Sequence, residues 1–341
     1  MNADAGNRMR WNERRPGAYE VWFLTWNHAA SGDGFWLRYT LEAPTAGHGE
    51  PYAALWFARF ARDEHRTGPT FAIHRRFPIA ALRHTGAPFA LDLAGRVLGS
   101  SHARGDLAGA GHDVRWDLRW PAGAAPGRLL PDVMYLRGGL GETTVLSPTV
   151  RAALTGELLV DGVRYELSGE PVAQTHLWGG KHAHQWAWAR CLAFAEVDDA
   201  AFEVLSPRLR RRGVVLPTLT VATLRLGDEL LAFNQFRHAA LARARWDTGR
   251  YQFSLVNAHA RLDGELSARL GDFVLAPYED PDGEPSWCAN TEIGSATLRL
   301  RRRRGLGWGP VQELTADGTA HFELADRRRD PAITTPHQQV P

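Results

Sequence analysis

Apolar and polar residues alternate along much of this chain. Val114, Trp116, Leu118 and Trp120 alternate with Arg115, Asp117 and Arg119, and Phe35, Leu37, Tyr39 and Leu41 with Trp36, Arg38, Thr40 and Glu42. Tyr251, Phe253 and Leu255 repeat the rule, as do Ala296, Leu298 and Leu300 against Arg299 and Arg301. Successive side chains of an extended chain point to opposite faces, so this period of two predicts half-buried strands. Turn signals fall between the runs: Ser31-Gly32-Asp33-Gly34, Asp161-Gly162, Asp263-Gly264, Asp282-Gly283 and Asp317-Gly318. Residues 156–167, centred on Asp161-Gly162, predict a two-residue hairpin, whose turn needs residues that tolerate a positive φ. Helical periodicity is nearly missing. Residues 234–245 offer one short helix, and a strand fits them equally well. Many short antiparallel strands with tight turns predict an all-β fold, a sandwich or a barrel.

A chain of 341 residues is long enough for two average domains. The segment 168–181 carries Gly169, Pro171, Gly179 and Gly180 directly after a complete hairpin, which places a boundary near Pro171. The expected organisation is an N-terminal extension (1–18), a first half (19–170), a second half (171–325) and a charged, flexible tail (326–341). No internal repeat is visible in the sequence. A hydrophobic fraction of 44% with 23% charged residues excludes a disordered chain or a coiled coil. A formal charge of +2 removes any global electrostatic case for nucleic acid. Cys191 and Cys288 are too few for a disulfide framework, and no Cys/His zinc spacing occurs. Residues 1–16 are polar, and no run approaches the apolar length of a membrane span, so the expectation is a soluble, cytoplasmic protein.

Two composition features direct attention to one segment. There are 13 tryptophans, and of the 40 lysine and arginine residues only Lys181 is lysine. Lys181 lies in His176-Leu177-Trp178-Gly179-Gly180-Lys181-His182-Ala183-His184-Gln185-Trp186-Ala187-Trp188-Ala189-Arg190-Cys191. Extended from residue 182 onward, this segment puts His182, His184, Trp186, Trp188 and Arg190 on one face and mostly small residues on the other. A domain-interface strand with core aromatics explains it. So does the wall of a site for a flat, unsaturated ligand or a carbocation, which ring quadrupoles stabilise. His182 and His184, with His176, also have a spacing open to zinc, although no carboxylate is near in sequence to orient them.

Two smaller clusters add candidates. Trp22, Trp26, Asn27, His28, Asp33 and Trp36 gather near a predicted strand end, where His28 is a candidate acid or ligand contact. Tyr278-Glu279-Asp280-Pro281-Asp282-Gly283 is foremost a tight turn, too compressed for a calcium loop. Beyond it, Asn290 and Glu292 share a strand face, and Glu292 is the best carboxylate candidate for a proton donor. Gly138-Gly139-Leu140-Gly141 does not complete a dinucleotide fingerprint, and no GxSxG elbow exists. The arginine runs at 210–212, 301–304 and 327–329 read as solvated strand ends, with peripheral membrane contact as the lesser reading.

Taken in order, Tyr19-Glu20-Val21-Trp22, Gly34-Phe35-Trp36-Leu37-Arg38-Tyr39, the hairpin at 156–167, His176-x-Trp178-Gly179, Trp186-x-Trp188 and Tyr278-x-Asp280-Pro281-Asp282-Gly283 resemble one superfamily. It is the double-lipocalin (calycin-like) group of hydroxyneurosporene synthase (carotenoid 1,2-hydratase), tocopherol cyclase, AttH-like proteins and lipocalin-type Diels–Alderases. The resemblance runs from Tyr19 to Leu324. It implies two lipocalin-like antiparallel β-barrels packed together, with a hydrophobic pocket in or between them and no bound cofactor. His176 and Trp178 match that group's His-x-Trp-Gly segment.

The expectation is therefore a hydratase, cyclase or pericyclase acting on a polyene or isoprenoid. His28, His182 and Glu292 are its candidate proton donors. Trp26, Trp36, His176, Trp178, His184, Trp186, Trp188, Tyr278 and Asn290 are candidate binding residues, with Lys181 anchoring a substrate oxygen. A lipid or pigment carrier and a zinc hydratase or hydrolase are the competing readings.

Overall fold

The computed structural model describes residues 1–136, 142–239 and 241–341; the glycine run Gly138-Gly139-Leu140-Gly141 lies outside the described residues. The alternation seen in the sequence becomes strand almost throughout. The first ladder comprises β1 (Ala18–Asn27), β2 (Gly34–Ala43), β3 (Tyr52–Phe60), β4 (Phe71–Pro78), β5 (Leu82–Gly86), β6 (Phe89–Leu93), β7 (Arg96–Gly99), β8 (His102–Gly109), β9 (His112–Arg119), β10 (Thr143–Val160) and β11 (Val163–Gly179). All neighbours are antiparallel, in the order β4–β3–β2–β1–β11–β10–β9–β8–β7–β6–β5. The predicted hairpin joins β10 to β11, with Asp161 at φ 54° and Gly162 at φ 83°, the left-handed pair its turn requires.

The second ladder repeats part of this arrangement. Its strands are β12 (Gln185–Cys191), β13 (Ala200–Arg208), the small hairpin β14 (Arg210–Arg211) and β15 (Val214–Val215), β16 (Val221–Leu226), β17 (Glu229–Phe233), β18 (Arg243–Asp247), β19 (Arg250–Val256), β20 (Ala260–Ser267), β21 (Val274–Glu279), β22 (Pro285–Arg304), β23 (Gly307–Trp308) and β24 (Gln312–Asp326). The order is β17–β16–β13–β12–β24–β22–β20–β19–β18, again antiparallel, with β21 on the first part of β22. In each half a four-strand meander starts from a strand that pairs with the half's last long strand. Neither ladder closes on itself among the described residues: the ends are β4 and β5 in one and β17 and β18 in the other. Of the ambiguous stretch 234–245, one helical turn (Phe236–Ala239) and the start of β18 are seen.

Two expected boundaries look different in three dimensions. Pro171 sits inside β11, and the chain changes ladder between Gly179 and Gln185. The expected flexible tail carries β25 (Thr335–Val340), which runs parallel to both β4 and β21 and joins the two ladders. Val340 and His337 are buried there. The N-terminal extension is likewise tied down, through Trp22 Nε1 donating to the Asn7 carbonyl (2.8 Å) and Asn7 Nδ2 donating to Gln174 (2.8 Å). Among the described residues, no helix is long and apolar enough to cross a membrane.

The core has three main parts and a small cluster of Ala173, Leu192 and Ala201. Each half has its own, and a third lies between them, where Tyr19, Val21, Phe23 and Trp36 meet Trp186, Trp188, Val274 and Tyr278. The strands flanking this interface are therefore buried on both faces, and the polar positions Arg38, Thr40 and Glu42 of β2 face protein, not water. The half-buried strand expected for β2 is thus fully buried, because a second sheet covers its polar side.

Candidate functional site

The interface core is incompletely filled. It encloses a cavity of about 160 Å³ between the outer faces of β1–β2 and of β12–β13 with β21. A cavity of about 150 Å³ accommodates one benzene, so this space takes a single ring or a short stretch of chain. A longer ligand would have to project from it. Rings form much of the wall: Tyr19, Phe23, Trp36, Trp186, Trp188 and Tyr278. Trp186 and Trp188 reach it because alternate residues of β12 point there, while Ala187, Ala189 and Cys191 pack into the second half's core.

His182 stands at this wall, stacked on Tyr19 (ring centroids 4.2 Å apart) and flanked by Trp186 and Tyr278. Its Nδ1 donates to Asp280 Oδ1 at 2.7 Å, and its backbone N–H donates to the same oxygen at 2.8 Å. Arg327 holds the other carboxylate oxygen at 2.6 Å and also donates to the carbonyls of His182 and Ala183. A proton fixed on Nδ1 leaves Nε2 with its lone pair, the tautomer of a base. Burial lowers the His182 pKa, although its bond to Asp280 opposes the shift. Asp280 is lowered despite its own burial, because His182 and Arg327 favour the carboxylate. Tyr19 is fixed in turn: Thr143 donates to the Lys181 carbonyl, so the Tyr19 hydroxyl donates to Thr143.

Glu323 and Arg38 also line the cavity, as do Glu142 and Thr175. Glu323 accepts from Asn290 Nδ2 at 2.9 Å and lies 3.4 Å from Trp186 Nε1. Burial raises its pKa, partly offset by Arg38, which favours the protonated acid relative to a solvated glutamate. Arg38 projects from β2 with its guanidinium 4.3 Å from the Tyr278 ring centroid and 5.4 and 5.5 Å from Trp56 and Trp36.

The sequence candidates divide sharply. His182, Trp36, Trp186, Trp188 and Tyr278 line the cavity. Asn290 does not, but it orients Glu323. Glu292 lies outside, buried beside His321, whose Nδ1 is 3.0 Å from the carboxyl while its Nε2 donates to Asn27. Burial raises Glu292 well above the carboxylate range and lowers His321 to about 3, so this pair is an acid facing a neutral imidazole and not an ion pair. His28 follows the far end of β1, bonded to Ser31 with Tyr165 edge-on, and Trp26 belongs to the first half's core.

The segment around Lys181 is dispersed in the same way. His176 directs both ring nitrogens to oxygens, Gly6 O and Glu20 Oε1, each at 2.7 Å. Trp178 lies under the Arg10 guanidinium, away from the cavity. His184 does not line the cavity. Lys181 pairs with Asp282 (2.6 Å) and Glu284 (2.5 Å), closing the turn that carries Asp280. With Nδ1 of His182 on Asp280 and both nitrogens of His176 engaged, the three histidines do not converge as a zinc set. Asp280, Asp282 and Glu284 come close to one another, but Lys181 and Arg327 already occupy them.

Sequence reading missed Arg38, Glu323 and the bond from His182 to Asp280. Arg38 looked like the solvent side of a strand, and Glu323 has no motif. Asp280 carried a signal, its place in a turn motif, but its reach to His182 across 98 residues of sequence carried none.

Comparison with known proteins gives a family match and similar chains. The chain matches the tocopherol cyclase-like family over residues 147–324. It is similar to an uncharacterised protein of Mycobacterium tuberculosis, found in strains CDC 1551 / Oshkosh and ATCC 25618 / H37Rv. The identity is 26% over 326 residues, spanning 91% of this chain and 87% of that protein. The crystal structure of an AttH-like protein of Nitrosomonas europaea is similar at 14% identity and a TM-score of 0.55, over 95% of this chain and 98% of that one, a likeness of fold.

Proposed function

This chain belongs to the tocopherol cyclase-like family, and on that premise we propose that it is a cofactor-independent hydratase, cyclase or pericyclase. It acts on an unsaturated hydrophobic chain, a polyene or isoprenoid, held between two lipocalin-like halves. The observation that supports this reading is one imidazole, fixed in its basic tautomer, and one buried carboxyl lining the same aromatic cavity.

In this mechanism Glu323 gives its proton to one carbon of a double bond, whose electron pair forms the new C–H bond. Positive charge develops on the neighbouring carbon, and each ring face it meets stabilises it by about 0.5–2 kcal/mol. Water, or a hydroxyl of the same substrate, adds to that carbon, and His182 Nε2 takes the proton the nucleophile releases. Exchange with solvent returns a proton to Glu323 and removes one from His182. The net reaction is addition of H–O–R across the double bond. A pericyclic substrate would use the same walls for folding alone.

The test is product analysis by mass spectrometry after incubation with a panel of polyenes and isoprenoids, using wild type, His182→Ala and Glu323→Gln. Wild-type turnover is expected, with each variant slower by about a hundredfold or more. Tight retention of one compound, unchanged, would make the protein a carrier and end the enzymatic reading.

A further inference from the structure

Arg38 is an unusual residue for its position. It is 5% exposed, yet it lines a mainly apolar cavity. Its guanidinium hydrogen-bonds through Nε alone among the described residues, donating to Thr40 at 2.9 Å. Among the described residues, no carboxylate lies within ion-pairing distance of the guanidinium, whereas the buried Arg190 is paired with Glu203 at 2.8 Å and Arg327 with Asp280 at 2.6 Å. The acids its charge acts on, Glu42 and Glu323, do not pair with it: Glu323 takes Asn290, and burial raises Glu42 well above the carboxylate range, while Asp280 serves His182 and Arg327. The rings of Trp36, Trp56 and Tyr278 stabilise the cation only in part. A cation set in an aromatic wall with its terminal N–H groups open to the cavity gains when an acceptor arrives there.

We propose that the Arg38 guanidinium is a carboxylate-binding subsite, so that the preferred ligand is an unsaturated hydrocarbon ending in a carboxylic acid. This deepens the functional reading above and rests on the same cavity. A planar carboxylate matches the guanidinium fork with two parallel hydrogen bonds. A diphosphate does not suit the site: it carries several negative charges, and the cavity offers one uncompensated cation. The aromatic wall takes the hydrocarbon portion, and the size of the cavity limits the enclosed part to the few carbons next to the acid.

The experiment titrates geranic acid and geraniol separately into the whole protein at neutral pH, following quenching of tryptophan fluorescence. Trp36, Trp186 and Trp188 report occupancy directly. The acid is expected to bind at least tenfold more tightly than the alcohol. That preference is expected to vanish in Arg38→Met and to survive in part in Arg38→Lys, which keeps the charge and loses the fork. Equal wild-type affinities would overturn the proposal even if Arg38→Met failed to fold, as would a preference unchanged in folded Arg38→Met. Because the readout is binding, absence of turnover leaves this result intact. Loss of acid preference, conversely, leaves the polyene reaction standing.

Discussion

Individual residues here owe their character to burial more than to sequence neighbours. Glu292 has the raised pKa expected of a proton donor, yet its partner is His321, deep in the interface. His321 is neutral in the fold, with a pKa near 3, and takes up a proton in the unfolded chain below about 6.5. Its contribution to stability is therefore complete above pH 6.5. It is lost at about 1.4 kcal/mol per pH unit as the pH falls towards 3. His321→Gln should destabilise the protein at pH 7, and its deficit relative to wild type should shrink by about 2 kcal/mol by pH 5. Urea titrations at the two pH values measure this, and a constant deficit would mean that His321 is not held neutral. Lys181, the residue composition made conspicuous, is partly exposed and paired with two carboxylates of a turn. Such pairs contribute about 0–1 kcal/mol, so its role is to steady the loop that presents Asp280.

Among the elements, β2 and β12 make the site because both of their faces are buried. In β12 the alanines let one face pack closely into the second half while the tryptophans fill the other. Where β2 begins, the two ladders approach closely. A Cβ on Gly34 would lie 2.6 Å from both Cβ and the backbone oxygen of Glu292, and a backbone atom in β22 cannot swing aside. Gly34→Ala should therefore destabilise the protein by about 1–3 kcal/mol and loosen the cavity between the halves. Thermal melting, with ligand-binding titrations alongside, would show it. A wild-type melting temperature would show that the halves can separate there at no cost.

At the scale of the whole molecule, β25 joins the first ladder to the second. It covers the edge of β4 and that of β21, so two edges are protected by one segment. Removal of residues 335–341 takes away the buried His337 and Val340. It should cost about 2–4 kcal/mol and leave β4 open to pairing with other chains. Denaturation should then occur at lower urea, with association visible by light scattering. An unchanged midpoint and a monodisperse protein would show that the strap contributes nothing. The two halves share a four-strand meander that starts beside the last long strand, a partial repeat of topology without a visible repeat of sequence. Such divergence is expected where only burial and turn positions must be kept.

The sequence by itself determined that this is a mainly antiparallel all-β protein, where the main turns lie, and that residues 176–191 form an aromatic-rich segment. Period-two patterning and Asp-Gly turns act locally, so they can be read locally. Tertiary structure alone decided which histidine faces a cavity, which carboxyl gains acidity or loses it, and that Arg38 is inside. Those outcomes depend on desolvation and on partners brought from distant strands, as Asp280 is brought to His182. The polar face of β2 looked like a solvent face because alternation records only that two faces differ. What covers the second face is set by the other half of the molecule.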